Sequence, residues 1–196
     1  MNNKLVIDYK EITSLVSKIA RELALGNWKP DYIVGLTRGG LVPAVMLSHY
    51  LDIPMFTLNV SLRDGDGRES NLWMAEDALG PQTKDRFIND ANDIGSILEA
   101  ASSLLEEGAT YKNILIVDDI NDQGSTINWI MDDWKSSCLP GDPSWDEVWN
   151  NNVRFAVLVD NLSSKCNVSM DYAGMEINKA ENDVWVDFPW EDWWTK

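Results

Sequence analysis

The chain is poor in the residues that metal and thiol chemistry need. Its 196 residues include two cysteines and one histidine. His49 stands alone, with no cysteine or histidine cluster around it, which excludes a zinc centre. Cys138 and Cys166 could pair, but one bridge is no disulfide scaffold at this size. Two reduced thiols in a cytoplasmic protein are expected. Basic residues are also scarce: 16 Lys and Arg stand against 32 Asp and Glu, a net charge of −16. Such a surface repels a phosphate backbone, so no nucleic-acid partner is expected. No apolar run approaches the roughly 20 residues of a membrane span. The first residues, Met1-Asn-Asn-Lys4, open into Leu5-Val6-Ile7 without a signal-peptide pattern. No membrane partner is expected. Internal repeats and low-complexity segments are missing too.

What remains is a composition that can fold. Hydrophobic residues make up 44 % of the chain, and the length suits one domain, residues 1–196, with a sizeable core. Ile12, Leu15, Val16, Ile19, Ala20 and Leu23 fall at helical spacing within residues 8–25, and Gly26-Asn27 ends that helix. Val42 to Leu51 reads as a second helix and Met55 to Val60 as a strand. Residues 63–70 are polar and glycine-rich, a mobile-loop composition. Asp85 to Glu107 suits a further helix. Ser136 to Asp146, with Pro140, Gly141 and Pro143, reads as a surface loop, and Arg154 to Val159 as a strand. Strands alternating with helices predict an α/β fold with a parallel sheet flanked by helices.

One segment is far more specific. Ile114-Leu-Ile-Val117 reads as a buried parallel strand, with Asp118 and Asp119 where it ends. Asp122-Gln123-Gly124-Ser125-Thr126 follows, and a helical pattern starts at Ile127. A loop running into a helix N-terminus offers free backbone N–H groups to an anion. Gly124 permits close backbone approach, and Ser125 and Thr126 add hydroxyls. The carboxylates suit sugar hydroxyls or a hard cation such as Mg²⁺. Together these describe a site for a phosphorylated sugar. Upstream, Asp31 to Ala44 reads strand, loop, helix, with Arg38-Gly39-Gly40 as the loop. It brings a cation and a permissive backbone to one place, which suits a pyrophosphate.

Ile114–Thr126 resembles the phosphoribosyl-pyrophosphate (PRPP) signature of the type I phosphoribosyltransferases, with Gln123 in place of the usual Thr. Arg38-Gly-Gly-Leu-Val-Pro43 and Asp183-Val-Trp-Val-Asp-Phe-Pro-Trp190 are similar to elements of the bacterial xanthine-guanine enzymes. The resemblance implies their fold, with a small hood built from the terminal segments. It implies transfer of the phosphoribosyl group from PRPP to a nucleobase, a purine, in nucleotide salvage, with Mg²⁺. A homo-oligomer, dimer or tetramer, goes with it. The alternative is a PRPP- or nucleotide-binding regulator on the same fold.

The resemblance also implies roles. Arg38, Gly39 and Arg68 would contact PRPP, as would the run Asp118, Asp119, Ile120, Asn121, Asp122, Gln123, Gly124, Ser125 and Thr126. Asp118 and Asp119 match the pair on the ribose hydroxyls, and Asp119 the Mg²⁺-linked position. Asp122 matches the residue near purine N7, a candidate for catalytic proton transfer. Trp185 and Val186 match the positions that contact the base. One departure stands out. The family's lysine to the purine 6-oxo group aligns with Asp160, which can only accept when ionised. Lys165 lies nearby but outside the motif. A weakened preference for 6-oxopurines, or a preference for a 6-amino base, is therefore expected.

Overall fold

The structure is a computed structural model that describes residues 3–60, 72–80 and 111–195. Its centre is a five-stranded, all-parallel sheet: β2 (Tyr32–Leu36), β3 (Met55–Leu58), β4 (Ile114–Asn121), β5 (Val153–Asn161) and β6 (Tyr172–Ile177), in the order β3-β2-β4-β5-β6. Helices α1 (Tyr9–Leu25), α2 (Leu41–Leu51), α3 (Leu72–Leu79), α4 (Ser125–Ser137) and the single turn α5 (Trp145–Val148) complete the main body. β1 (Asn3–Val6) pairs in parallel with β7 (Val184–Asp187) as a separate two-stranded sheet, which is the hood made from the two ends of the chain.

The sheet is parallel because both its faces are covered. In β4, Ile114 and Ile116 face one helical layer while Leu115 and Val117 face the other, so the first half of the strand is apolar on both faces. α1 shows the matching logic on a helix. Its stripe of Ile12, Val16, Ile19, Ala20 and Leu23 is buried. Asp8 Oδ1 accepts from Glu11 N at 2.8 Å while Asp8 N donates to Glu11 Oε2, closing a capping box. Such a cap contributes about 1 kcal/mol.

Two expectations are corrected, and one strand goes beyond them. β4 does not end before the acidic pair: pairing continues from Asp118 opposite Val157 to Asn121 opposite Asp160. The carboxylates therefore project from strand backbone held on that side. Ser136 to Asp146 is no simple surface loop. Cys138, Asp142 and Trp145 are buried, Trp145 stacks on Trp149 at 5.6 Å, and its indole donates to Cys138 O at 2.9 Å. The Pro and Gly residues marked a turn correctly, but the aromatic that follows them, Trp145, anchors it. β6 carried little strand pattern. Gly174 interrupts it because a Cβ there would press on Leu158 O and Leu15. The helix expected over 85–107 lies outside the described residues.

Candidate active site

The strand order fixes where a ligand can sit. α2 carries the chain from β2 to β3 on one side, and β4 lies on the other side of β2. Between β2 and β4 the order reverses, and in such sheets the crevice opens beyond the carboxyl ends of those strands. A cleft of about 1120 Å³ occupies this position. Its floor is the β2–α2 loop and the β4–α4 loop.

The two loops touch, and the glycines let them. A Cβ on Gly39 would collide with the Asp119 carboxylate, and one on Gly40 with Val117 O and Asp118 Cα. The peptide between Thr37 and Arg38 is cis. Gly124 takes a left-handed conformation, φ +80°, at the start of α4, and no side chain among the described residues caps that helix. The first-turn N–H groups at Ser125 and Thr126 thus open onto the cleft, as an anion requires. A Cβ on Gly124 would also strike the backbone at Lys165 and Cys166. Lys165 N donates to Gln123 O, and Asn128 Nδ2 donates to Lys165 O. Lys165 is a brace behind the loop.

Burial raises the Asp118 carboxyl well above the usual range, and the charge of Asp119 adds to this. Burial raises Asp119 too. The buried Trp190 indole N–H, which completes no hydrogen bond to a described residue, lies close enough to Asp119 to oppose that rise. Glu191, not singled out from the sequence, is also raised, first by burial and then by Asp119. Carboxylates crowded in this way favour a cation between them. Among the described residues, no cluster of three or more metal-ligating side chains forms a protein cage. Mg²⁺ needs none when carboxylates and substrate phosphates share its coordination. The residues present fit Mg²⁺ at Asp119.

The hood supplies the wall. Trp185, 44 % exposed, and Val186 face the cleft together with Trp190 and Trp194. Arg38 lies on the floor and Lys4 at the hood, 3.7 Å from Asp187. Lys179, in the β6–β7 connection, meets Asp122 Oδ1 at 2.7 Å. Sequence reading missed both lysines, since neither lies in a motif. Asn161, at the end of β5, is 4 % exposed and was also missed. Its Nδ2 donates to Asp122 O at 2.7 Å, and its Oδ1 accepts from Lys179 N at 3.0 Å.

The structure thus brings Arg38, Gly39, Trp185, Val186 and the whole run Asp118–Thr126 to one cleft. Arg68 falls outside the described residues. Asp160 does not line the cleft. Its Oδ1 accepts from Asn121 Nδ2 at 2.8 Å, and the same amide donates to Ser164 Oγ. It supports the loop from beneath.

The phosphoribosyl transferase domain family matches residues 7–193. The chain belongs to the phosphoribosyltransferase family. It is 20 % identical over 201 residues to xanthine phosphoribosyltransferase 1 of Saccharomyces cerevisiae, covering 97 % of this chain and 90 % of that one. It is 21 % identical over 198 residues to the hypoxanthine-guanine phosphoribosyltransferase of Schizosaccharomyces pombe, covering 96 % and 89 %. A purine phosphoribosyltransferase structure from Pyrococcus horikoshii superimposes with a TM-score of 0.58 at 23 % identity, covering 96 % and 94 %. That likeness carries the fold.

Proposed function

We propose that this phosphoribosyltransferase joins a purine base to the ribose of PRPP, forming a nucleoside monophosphate and releasing pyrophosphate, a reaction of nucleotide salvage. The observation that carries the reading is the floor of the cleft. A buried acidic pair, an uncapped helix N-terminus at Gly124 and the Arg38-Gly39 loop converge at the switch point. Each supplies what one part of PRPP needs.

The 5′-phosphate lies on the N–H groups of Gly124 to Thr126. Asp118 and Asp119 accept hydrogen bonds from the ribose hydroxyls. Arg38 and the Gly39 backbone hold the pyrophosphate and stabilise its departure. Asp119 would hold Mg²⁺, which would supply positive charge to the departing pyrophosphate. The base enters as the tautomer with a hydrogen on N7. Its N9 lone pair forms the bond to ribose C1 as the C1–O bond to pyrophosphate breaks. Asp122 takes the N7 proton. Trp185 covers the purine face and Val186 borders it. The resemblance adds Arg68, outside the described residues, to the PRPP contacts.

Free thiols at Cys138 and Cys166 support a cytoplasmic setting. No helix among the described residues is long and apolar enough to cross a membrane. Trp193 and Trp194, both 67 % exposed, support a homo-oligomer. The deciding test is product formation from PRPP and Mg²⁺ across guanine, hypoxanthine, xanthine and adenine. Formation of no nucleoside monophosphate from any base would overturn the reading.

A further inference from the structure

We propose that Lys179 selects a 6-oxopurine, donating from its ammonium to the 6-oxo oxygen beside Asp122. This rests on the transferase reading above. It places the base-reading cation on the β6–β7 connection instead of the end of β5.

The position is built. Lys179 Nζ lies 2.7 Å from Asp122 Oδ1, and its side chain is 16 % exposed. Its backbone N–H is held by Asn161 Oδ1, and the other end of the same amide holds Asp122 O. One buried side chain therefore fixes the acceptor and the donor relative to each other. The segment is tied further by Leu162 N donating to Ile177 O and by Ala180 N donating to Asn178 Oδ1.

The chemistry of the pair reads one edge of a purine. N7 and the C6 substituent are neighbours on that edge, and a 6-oxo base differs from a 6-amino base by acceptor against donor. Asp122 suits an N7 hydrogen. Lys179 has three donors and no acceptor, so it can keep Asp122 and still reach an oxygen. Against a 6-amino group it finds only hydrogens. Asp160 cannot take this part, since its carboxylate faces Asn121 below the loop. The departure at Asp160 therefore does not imply loss of 6-oxo recognition, because the cation arrives from another strand connection.

Calorimetry with IMP and AMP, which share ribose phosphate and differ along the N1–C6 edge, separates the outcomes without requiring turnover. The unmodified protein should prefer IMP. Lys179→Met should weaken IMP by roughly 10- to 100-fold and leave AMP within about 3-fold. Lys179→Arg should recover part of the preference. Asp160→Lys should bring no gain toward IMP. In turnover, Lys179→Met should raise KM for hypoxanthine and leave KM for PRPP in place. Equal weakening of IMP and AMP, or an unchanged ratio, would overturn the proposal. If the unmodified protein forms no product, the transferase reading fails, and the IMP-to-AMP ratio still decides the role of Lys179.

Discussion

The floor and the wall of the cleft are built in different ways. Most of the floor is one continuous segment, Asp118 to Thr126, standing on β4 between two paired strands. The wall is assembled from Lys179 on one connection and from Trp185, Val186 and Trp190 on and after β7. Among the described residues, β7 pairs with no strand but β1, from the other end of the described chain. A phosphate and a ribose are the same in every PRPP, so a rigid local loop serves them. Bases differ, and a wall on a separate small sheet can change without disturbing the floor. Two residues cross between them: Lys179 of the wall pairs with Asp122 of the floor, and the Asn161 amide touches Asp122 O and Lys179 N.

The largest effect expected is on the floor. Asp118→Asn with Asp119→Asn replaces two charged acceptors for the ribose hydroxyls, one of them the cation ligand, with neutral amides. Turnover should fall by at least about a thousandfold, in line with losing several charge-assisted contacts at once. Normal turnover with undiminished PRPP binding by calorimetry would end the assignment. Gly124→Ala comes next. Its φ of +80° and the backbone of Cys166 leave no place for a methyl group. The variant should lose about 1–3 kcal/mol of stability in urea unfolding, and its KM for PRPP should rise more than its KM for base.

The bridge and the wall follow. Asn161→Asp keeps the acceptor for Lys179 N but sets a carboxylate against Asp122 O in place of a donor. Unlike a pure wall variant, it should raise KM for both substrates, each by roughly tenfold. A change confined to one substrate would show that Asn161 does not couple the two regions. Trp185→Ala removes the exposed indole from the cleft. An aromatic stack is worth about 0.5–1.5 kcal/mol beyond burial, so KM for base should rise about 3- to 10-fold. KM for PRPP should stay in place.

The same contrast explains what the sequence disclosed. Asp118, Asp119, Asp122 and Gly124 are neighbours in the chain, so their order is a readable pattern. The alternation behind β4 and the stripe of α1 are equally local. Lys179 meets Asp122 only because β6 lies beside β5 and its connection returns over the β4 loop. That pairing is tertiary, and β6 announces itself poorly with Gly174 and Glu176 in its run. Asp160 misled for a related reason. It occupies the motif position, but the hydrogen bond from Asn121 that holds it away from the cleft has no counterpart in local sequence.

The smallest effect concerns the two thiols, one of which touches the floor. Burial pushes the Cys138 thiol up to about 11, with Glu76 and Asp142 adding to it. Burial raises Cys166 as well, opposed by the N–H groups of Val168 and Asn167. The thiolate is the reactive form, so raising the pKa lowers its fraction at a fixed pH. At pH 8, Cys138 should hold roughly a thousandth of its thiol as thiolate and alkylate on the order of a hundredfold more slowly than an unfolded cysteine. Its rate should still climb between pH 9 and 10. Cys166 is only partly buried and should react faster. Its backbone also backs Gly124, so PRPP with Mg²⁺ should slow alkylation of Cys166 about twofold or more by holding the loop against it. Cys138 caps the C-terminal end of α4 in the tryptophan cluster and should not respond. Mass spectrometry of iodoacetamide adducts against time reads both sites in one experiment. Equal slowing at both cysteines would mean that PRPP tightens the whole domain and that the floor is not a local unit.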